Sequence, residues 1–180
     1  TRRQMESAAN QENAASANSP IINKKAPDFT LMDQNNQPVT LSQLAGKWVV
    51  LYFFPKTDTP GCTCEATDFS KLIGSLRNMN AEVYGISEDS VATHKVFIEK
   101  YNLGLNLLSD PNHEMMERYG AWVTARLGDE TYGRMIRTTM IIDPEGIIRF
   151  HWPEVIPTGH AERVRNKVKQ LHAEQNQASR

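Results

Sequence analysis

The chain has 180 residues, 20 Lys and Arg against 21 Asp and Glu, a formal charge of −1 and two cysteines. Its length fits one domain, its charge balance argues against a nucleic-acid binder, and two cysteines make neither a disulfide framework nor a four-thiolate zinc site. The apolar run at residues 48–54 is far shorter than the roughly 20 residues of a membrane span, so a soluble protein with no membrane partner is expected.

In chain order, residues 1–20 are rich in Ala, Asn, Gln, Ser and Glu with little to bury, and predict a disordered N-terminal extension. The sequence begins at Thr1 and not at Met, which leaves room for an upstream piece, a cleaved signal peptide included. A cytoplasmic location is favoured, with a periplasmic one after signal removal left open. Residues 27–31 and 38–41, separated by Asp33-Gln34-Asn35-Asn36, read as a short hairpin. Residues 47–54 form a continuous apolar run of the kind found in a strand covered on both faces.

A helix is predicted over residues 60–79, a second apolar strand over 82–87, and a helix over 91–101 capped by the preceding Ser-Glu-Asp-Ser. Residues 105–108 suggest a third strand, and Asp110-Pro111 opens a helix to about residue 119. Residues 136–142 and 147–152 flank a turn, Asp143-Pro144-Glu145-Gly146. Ala161, Val164, Val168 and Leu171 mark one face of a C-terminal helix. Strands alternating with helices, then a hairpin and a helix, indicate an α/β sandwich with a mixed sheet. The expected domain spans residues 21–174, followed by a frayed tail at 175–180.

Both cysteines lie in Pro55-Lys56-Thr57-Asp58-Thr59-Pro60-Gly61-Cys62-Thr63-Cys64, which leaves a buried strand and enters a helix. Thr59 suits the N-cap and Pro60 the first helical position, where a missing N–H costs nothing. Cys62 then falls in the first turn, where free backbone N–H groups and the positive end of the helix dipole favour a thiolate. The same spacing lets the Thr59 hydroxyl approach the Cys62 sulfur or an oxygen bound beside it. Cys62, Ala66, Phe69 and Ile73 share the core-facing stripe, so the sulfur is expected at the floor of a pocket. Cys64 points roughly 200° around the helix, toward Asp68, whose charge tends to raise its pKa. Cys62 thus reads as a nucleophile, whereas Cys64 is either a second redox group or an incidental thiol.

At these residues the sequence resembles a peroxiredoxin. The active-site pattern Pro-x-x-x-Thr-x-x-Cys is met by Pro55, Thr59 and Cys62. Ala26-Pro27-Asp28-Phe29-Thr30-Leu31, Val83-Tyr84-Gly85-Ile86-Ser87, Tyr119-Gly120-Ala121-Trp122 and Arg137-Thr138-Thr139-Met140-Ile141-Ile142-Asp143 match in order and spacing. Thr59-Pro60-Gly61-Cys62-Thr63 and Gly159-His160-Ala161-Glu162 point to the bacterioferritin comigratory (PrxQ) branch. The resemblance covers residues 25–171. It implies a thioredoxin-like three-layer sandwich with a central mixed sheet and an N-terminal hairpin. It further implies reduction of hydrogen peroxide and organic hydroperoxides without metal, haem or flavin, hence no cofactor, in a monomer or weak homodimer.

By this resemblance Cys62 is the peroxidatic cysteine, which becomes a sulfenic acid. Thr59 holds the reacting oxygens, Pro55 shields the pocket from water, and Arg137 stabilises the thiolate and polarises the peroxide. Arg137 also stands out by itself, because an arginine interrupting an apolar strand needs a partner or a task. The departure from the family is at Thr67, where many members of the branch carry a resolving cysteine; no cysteine follows Cys64. Either Cys64 resolves Cys62, which requires the first turn to unwind, or an external thiol (thioredoxin, glutaredoxin or glutathione) attacks the sulfenic acid directly. The one-cysteine route is favoured.

The competing readings are weaker. A disulfide oxidoreductase of the thioredoxin type usually needs Cys-x-x-Cys, which is absent. A soft-metal or redox-chaperone clip at Cys62-Thr63-Cys64 would lack further ligands. The five histidines (His94, His113, His151, His160, His172) show no metal-ligand spacing and are expected in surface or packing roles. Arg163, Arg165, Lys167 and Lys169 read as a solvated face of the last helix. Trp48 reads as core, and Trp122 as core with a place at the peroxide pocket implied only by resemblance.

Overall fold

The computed structural model describes residues 2–178. Its centre is β3 (Trp48–Phe53), a strand buried at every position. Alternation divides its side chains between two cores. Trp48, Val50 and Tyr52 meet Ala66, Phe69, Ile73 and Leu76 of α2 (Pro60–Asn78), Phe97 of α3 (Val91–Tyr101), and Val164 and Val168 of α5 (His160–Ala178). Val49, Leu51 and Phe53 meet Met115 and Met116 of α4 (Glu114–Arg118) on the other face. The unbroken apolar run of the sequence is therefore a strand with helices on both sides.

Around β3 lie β4 (Ala81–Ser87) in parallel and β8 (Thr138–Ile142) antiparallel. With β1 (Thr30–Asp33), β2 (Pro38–Thr40), β5 (Asn106–Ser109) and β9 (Ile148–Trp152) they form a seven-stranded mixed sheet in the order β2-β1-β5-β4-β3-β8-β9. The N-terminal hairpin is β1–β2, with Leu31 opposite Val39. Where β3 and β4 run side by side, Tyr52 lies across Gly85. A Cβ built there would stand 2.6 Å from the tyrosine Cζ and 2.8 Å from Leu107, so only glycine fits.

Four segments differ from the sequence expectations. Residues 2–17, expected to be disordered, form helix α1 (Arg2–Ala17), which lies on β9. Its Ala, Gln and Glu residues are good helix formers, and its anchors are polar: Arg163 Nε donates to Glu12 at 2.7 Å, Lys167 Nζ to Asn13 at 3.0 Å, and the His151 N–H to Ser16 Oγ at 3.1 Å. Low hydrophobicity concealed an attachment that uses little apolar surface. Arg163 and Lys167 are thus contact residues, not members of a solvated face. Residues 122–135 form an unforeseen hairpin, β6 (Trp122–Leu127) and β7 (Glu130–Met135), closed at Gly128-Asp129 with Gly128 at φ +64°.

α4 begins at Glu114 and not at residue 110, because His113 has left-handed backbone (φ +60°) and ends the turn opened by Asp110. The Asp110 carboxylate accepts instead from the N–H groups of Met115 and Met116. Finally, α5 runs through residues 175–178, where fraying was expected; residues 179–180 of that tail lie outside the described residues. Among the described residues no helix is long and apolar enough to cross a membrane.

Candidate active site

The sheet register builds the site. Phe53, the last residue of β3, pairs with Thr138, the first of β8. The chain leaving β3 and the residue entering β8 therefore meet at one end of the sheet, and that residue is Arg137. It stands just before the strand and does not interrupt it, which is how a buried sheet accommodates a guanidinium. Residues 55–59 then turn the chain into α2, with Pro60 at the helix start and the Thr63 N–H closing on Thr59 O at 2.8 Å. Cys62 comes to lie in the first turn, 1% exposed, with Ala66 and Phe69 behind it.

Arg137 is shared between two acceptors. Its Nη2 donates to Cys62 Sγ at 2.9 Å and its Nη1 to Glu65 Oε1 at 3.4 Å. The neighbouring backbone makes room for this contact. A Cβ at Gly61 would fall 2.9 Å from Arg137 Nη2 and 3.4 Å from Pro157 Cγ, so the missing side chain leaves the path to the sulfur open.

Glu65 was not singled out from the sequence, although it lies three residues after Cys62 on the same buried face. The available signal was a carboxylate within the apolar stripe Cys62-Ala66-Phe69, a position that demands a partner. It is 1% exposed, and burial pushes its carboxyl up to about 7 while the Arg137 guanidinium opposes the shift. Tyr52 also borders this centre. Its hydroxyl is buried without a hydrogen-bond partner among the described residues, and burial first, then Glu65 and Cys62, hold its proton on.

The other expected residues fall as follows. Thr59 occupies the N-cap position, but its hydroxyl makes no capping bond; it donates to Lys56 O at 3.1 Å, which leaves its lone pairs free to accept. Pro55 begins the same loop and is exposed. Cys64 is exposed on the other side of α2, where its thiol donates to Asp68 Oδ2 at 3.6 Å. Desolvation, then the Asp68 charge, raise its pKa. Thr67 is bonded into the helix through Thr63 O at 2.7 Å.

Trp122 stacks on His113 with ring centroids 3.8 Å apart, on the β6–β7 hairpin. Trp48 is core, 2% exposed. Three histidines foreseen only as surface or packing residues are buried and hydrogen-bonded: His94 to Ser87, His151 to Ser19 and Thr138, His160 to Thr139. Burial lowers their pKa values to about 4, 4 and 3, which keeps them neutral.

A buried cysteine in the first turn of a helix, facing an arginine across the end of a mixed sheet, defines a thioredoxin-fold thiol enzyme. The chain belongs to the AhpC/TSA family, whose profile matches residues 22–151, and within it to the peroxiredoxins of the bacterioferritin comigratory branch, enzymes with thiol-dependent peroxidase function. It is 37% identical over 150 residues to peroxiredoxin Bcp of Bacillus subtilis, covering 83% of this chain and 96% of that one. A protein of Coxiella burnetii named as a peroxiredoxin bcp is 43% identical over 143 residues, 79% of this chain and 95% of the other. The bacterioferritin comigratory protein of Xanthomonas campestris superposes with a TM-score of 0.77 at 30% identity, over 80% of this chain and 92% of its own.

Proposed function

We propose that the protein reduces hydrogen peroxide and organic hydroperoxides at Cys62 and is re-reduced by an external thiol such as thioredoxin, glutaredoxin or glutathione. The observation that carries this reading is the 2.9 Å contact between Arg137 Nη2 and Cys62 Sγ. A guanidinium in that place gives the sulfur a charge-assisted hydrogen bond and supplies a second N–H to a peroxide oxygen. The Thr59 hydroxyl, which donates to Lys56 O, keeps acceptor capacity for the peroxide O–H.

In the first step the Cys62 sulfur attacks the terminal peroxide oxygen and the O–O bond breaks. The sulfur gains the oxygen as a sulfenic acid, and the leaving oxygen takes a proton as water or alcohol. An external thiol then displaces water from the sulfenic acid to give a mixed disulfide. A second thiol releases Cys62 and carries away the oxidised reductant. The orientation of Cys64, away from Cys62 and toward Asp68, supports this one-cysteine cycle over an internal Cys62–Cys64 disulfide. It also weighs against a soft-metal clip, because the two sulfurs face opposite sides of α2 and one of them already meets a guanidinium.

Stopped-flow mixing with stoichiometric hydrogen peroxide tests the reading. Cys62 is expected to be oxidised within seconds in the wild type, with no peroxide consumption in C62S. Unchanged consumption in C62S would refute it.

A further inference from the structure

The loop that carries Thr59 is held from outside by groups the peroxidase chemistry does not use. The Thr57 N–H donates to Asp89 Oδ2 at 2.9 Å. The same carboxylate oxygen accepts from Ser87 Oγ at 2.9 Å, and Ser87 Oγ is paired with His94 Nε2 at 2.6 Å. Ser109 Oγ donates to the Asp89 carbonyl at 2.5 Å, and the Asp89 N–H reaches Ser87 Oγ at 3.2 Å. Ser87 and His94 are both 0% exposed and Thr57 is 7% exposed, so the inner end of this chain is shielded from water, while Asp89 itself is half-buried.

The bonding order fixes the protons. Ser87 spends its hydroxyl hydrogen on Asp89, so toward His94 it accepts, and His94 carries its proton on Nε2. His94 Nδ1 is buried and without a partner among the described residues, as suits a nitrogen with no hydrogen. A charged His94 would place an N–H there with nothing to receive it. Burial accordingly holds His94 neutral, with a pKa lowered to about 4.

A second, outer arm reaches the same loop from the same helix. Asp58, in left-handed backbone at φ +58°, accepts from Lys100 Nζ at 2.7 Å and from Tyr101 OH at 2.5 Å. Helix α3 and the loop before it therefore grip two successive residues, Thr57 through Asp89 and Asp58 through the exposed pair. Left-handed backbone is uncommon for a residue other than glycine, and these contacts anchor Asp58 in it.

We propose that Asp89, oriented through Ser87 by the buried His94, is a positioning residue that locks the 55–59 loop so that Thr59 meets the peroxide beside Cys62. The inference rests on the peroxidase reading and adds to it a group that touches neither substrate nor sulfur. Its signature is selective. Peroxide needs the loop as well as the thiolate, whereas iodoacetamide needs only the thiolate.

The test compares D89A and D89N in the full chain, measuring hydrogen peroxide oxidation of Cys62, iodoacetamide alkylation of Cys62 and Tm. D89A is expected to slow the peroxide reaction by about tenfold or more, the scale set by misplacing a group in a preorganised site. Alkylation should stay within about threefold of wild type. D89N should recover most of the peroxide rate, since its amide oxygen still accepts from the Thr57 N–H. H94Q, which keeps an N–H for Ser87, against H94L, which does not, repeats the comparison should D89A fail to fold. A peroxide rate in D89A (or H94L) within about threefold of wild type would overturn the proposal. So would a parallel fall in alkylation, or a D89N as slow as D89A. Absence of the peroxide reaction in the wild type would instead defeat the peroxidase reading itself.

Discussion

Arg137 Nη2 stands 2.9 Å from Cys62 Sγ across 75 residues of chain, while its Nη1 stands 3.4 Å from Glu65 on the same helix as the cysteine. One guanidinium thus divides its positive charge between a sulfur and a buried carboxyl. Replacing it by methionine keeps the aliphatic volume and removes the donors. R137M is expected to lower kcat/KM for hydrogen peroxide by about 10²–10³-fold, the usual cost of losing a preorganised donor to developing charge. Steady-state kinetics with excess reductant would check this; a loss smaller than about fivefold would remove Arg137 from the chemistry.

Gly61 offers a test of geometry with the charges unchanged. Its absent Cβ would lie 2.9 Å from Arg137 Nη2, so G61A pushes the guanidinium off the sulfur by a few tenths of an ångström. The peroxide rate is expected to fall by about tenfold. Tm should hold or rise, because alanine in a helix costs less conformational entropy than glycine. A lowered Tm with an unchanged rate would contradict the assignment.

Glu65 predicts a pH dependence of stability. Its folded pKa, about 7, lies above the ordinary 4.5, so the folded state favours the protonated form. The associated stability is fully present below about pH 4.5 and is lost as pH rises through 7, a change on the order of 3 kcal/mol. E65Q removes the titration. Between pH 5 and 8.5 the wild type should lose Tm relative to E65Q by on the order of 5–10 °C. Parallel Tm curves for the two proteins would rule out a buried, titrating Glu65.

Cys64 is exposed and bonded to Asp68, so C64S should turn over with an external thiol within about twofold of wild type. The expectation follows from the divergence of side chains two apart on a helix. Turnover assays with thioredoxin, glutaredoxin and glutathione as separate reductants would also identify the preferred one. A tenfold loss of turnover in C64S, with the first oxidation step intact, would make Cys64 the resolving residue.

Much of this site is legible in the sequence because its parts are local. The proline, threonine and cysteine of the helix start are fixed by spacing, and the stripe Cys62-Ala66-Phe69-Ile73 is helical periodicity realised as burial. What the sequence concealed is long-range and polar. Glu65 is an ordinary helix residue until β8 delivers Arg137 to it. Asp89 is one loop aspartate among several until the β3–β4 pairing brings the ends of those strands together. Helix α1 was missed for a related reason: its attachment runs through Glu12, Asn13 and Ser16, which a hydrophobicity argument counts as solvent-seeking.

The central claim is that Cys62, and not Cys64, takes the oxygen. Intact-protein and peptide mass spectrometry after one equivalent of hydrogen peroxide, with a sulfenic-acid trap such as dimedone present, tests it most directly. One trapped oxidation is expected, located on Cys62 and absent from C62S. An adduct on Cys64 with Cys62 unmodified would contradict it.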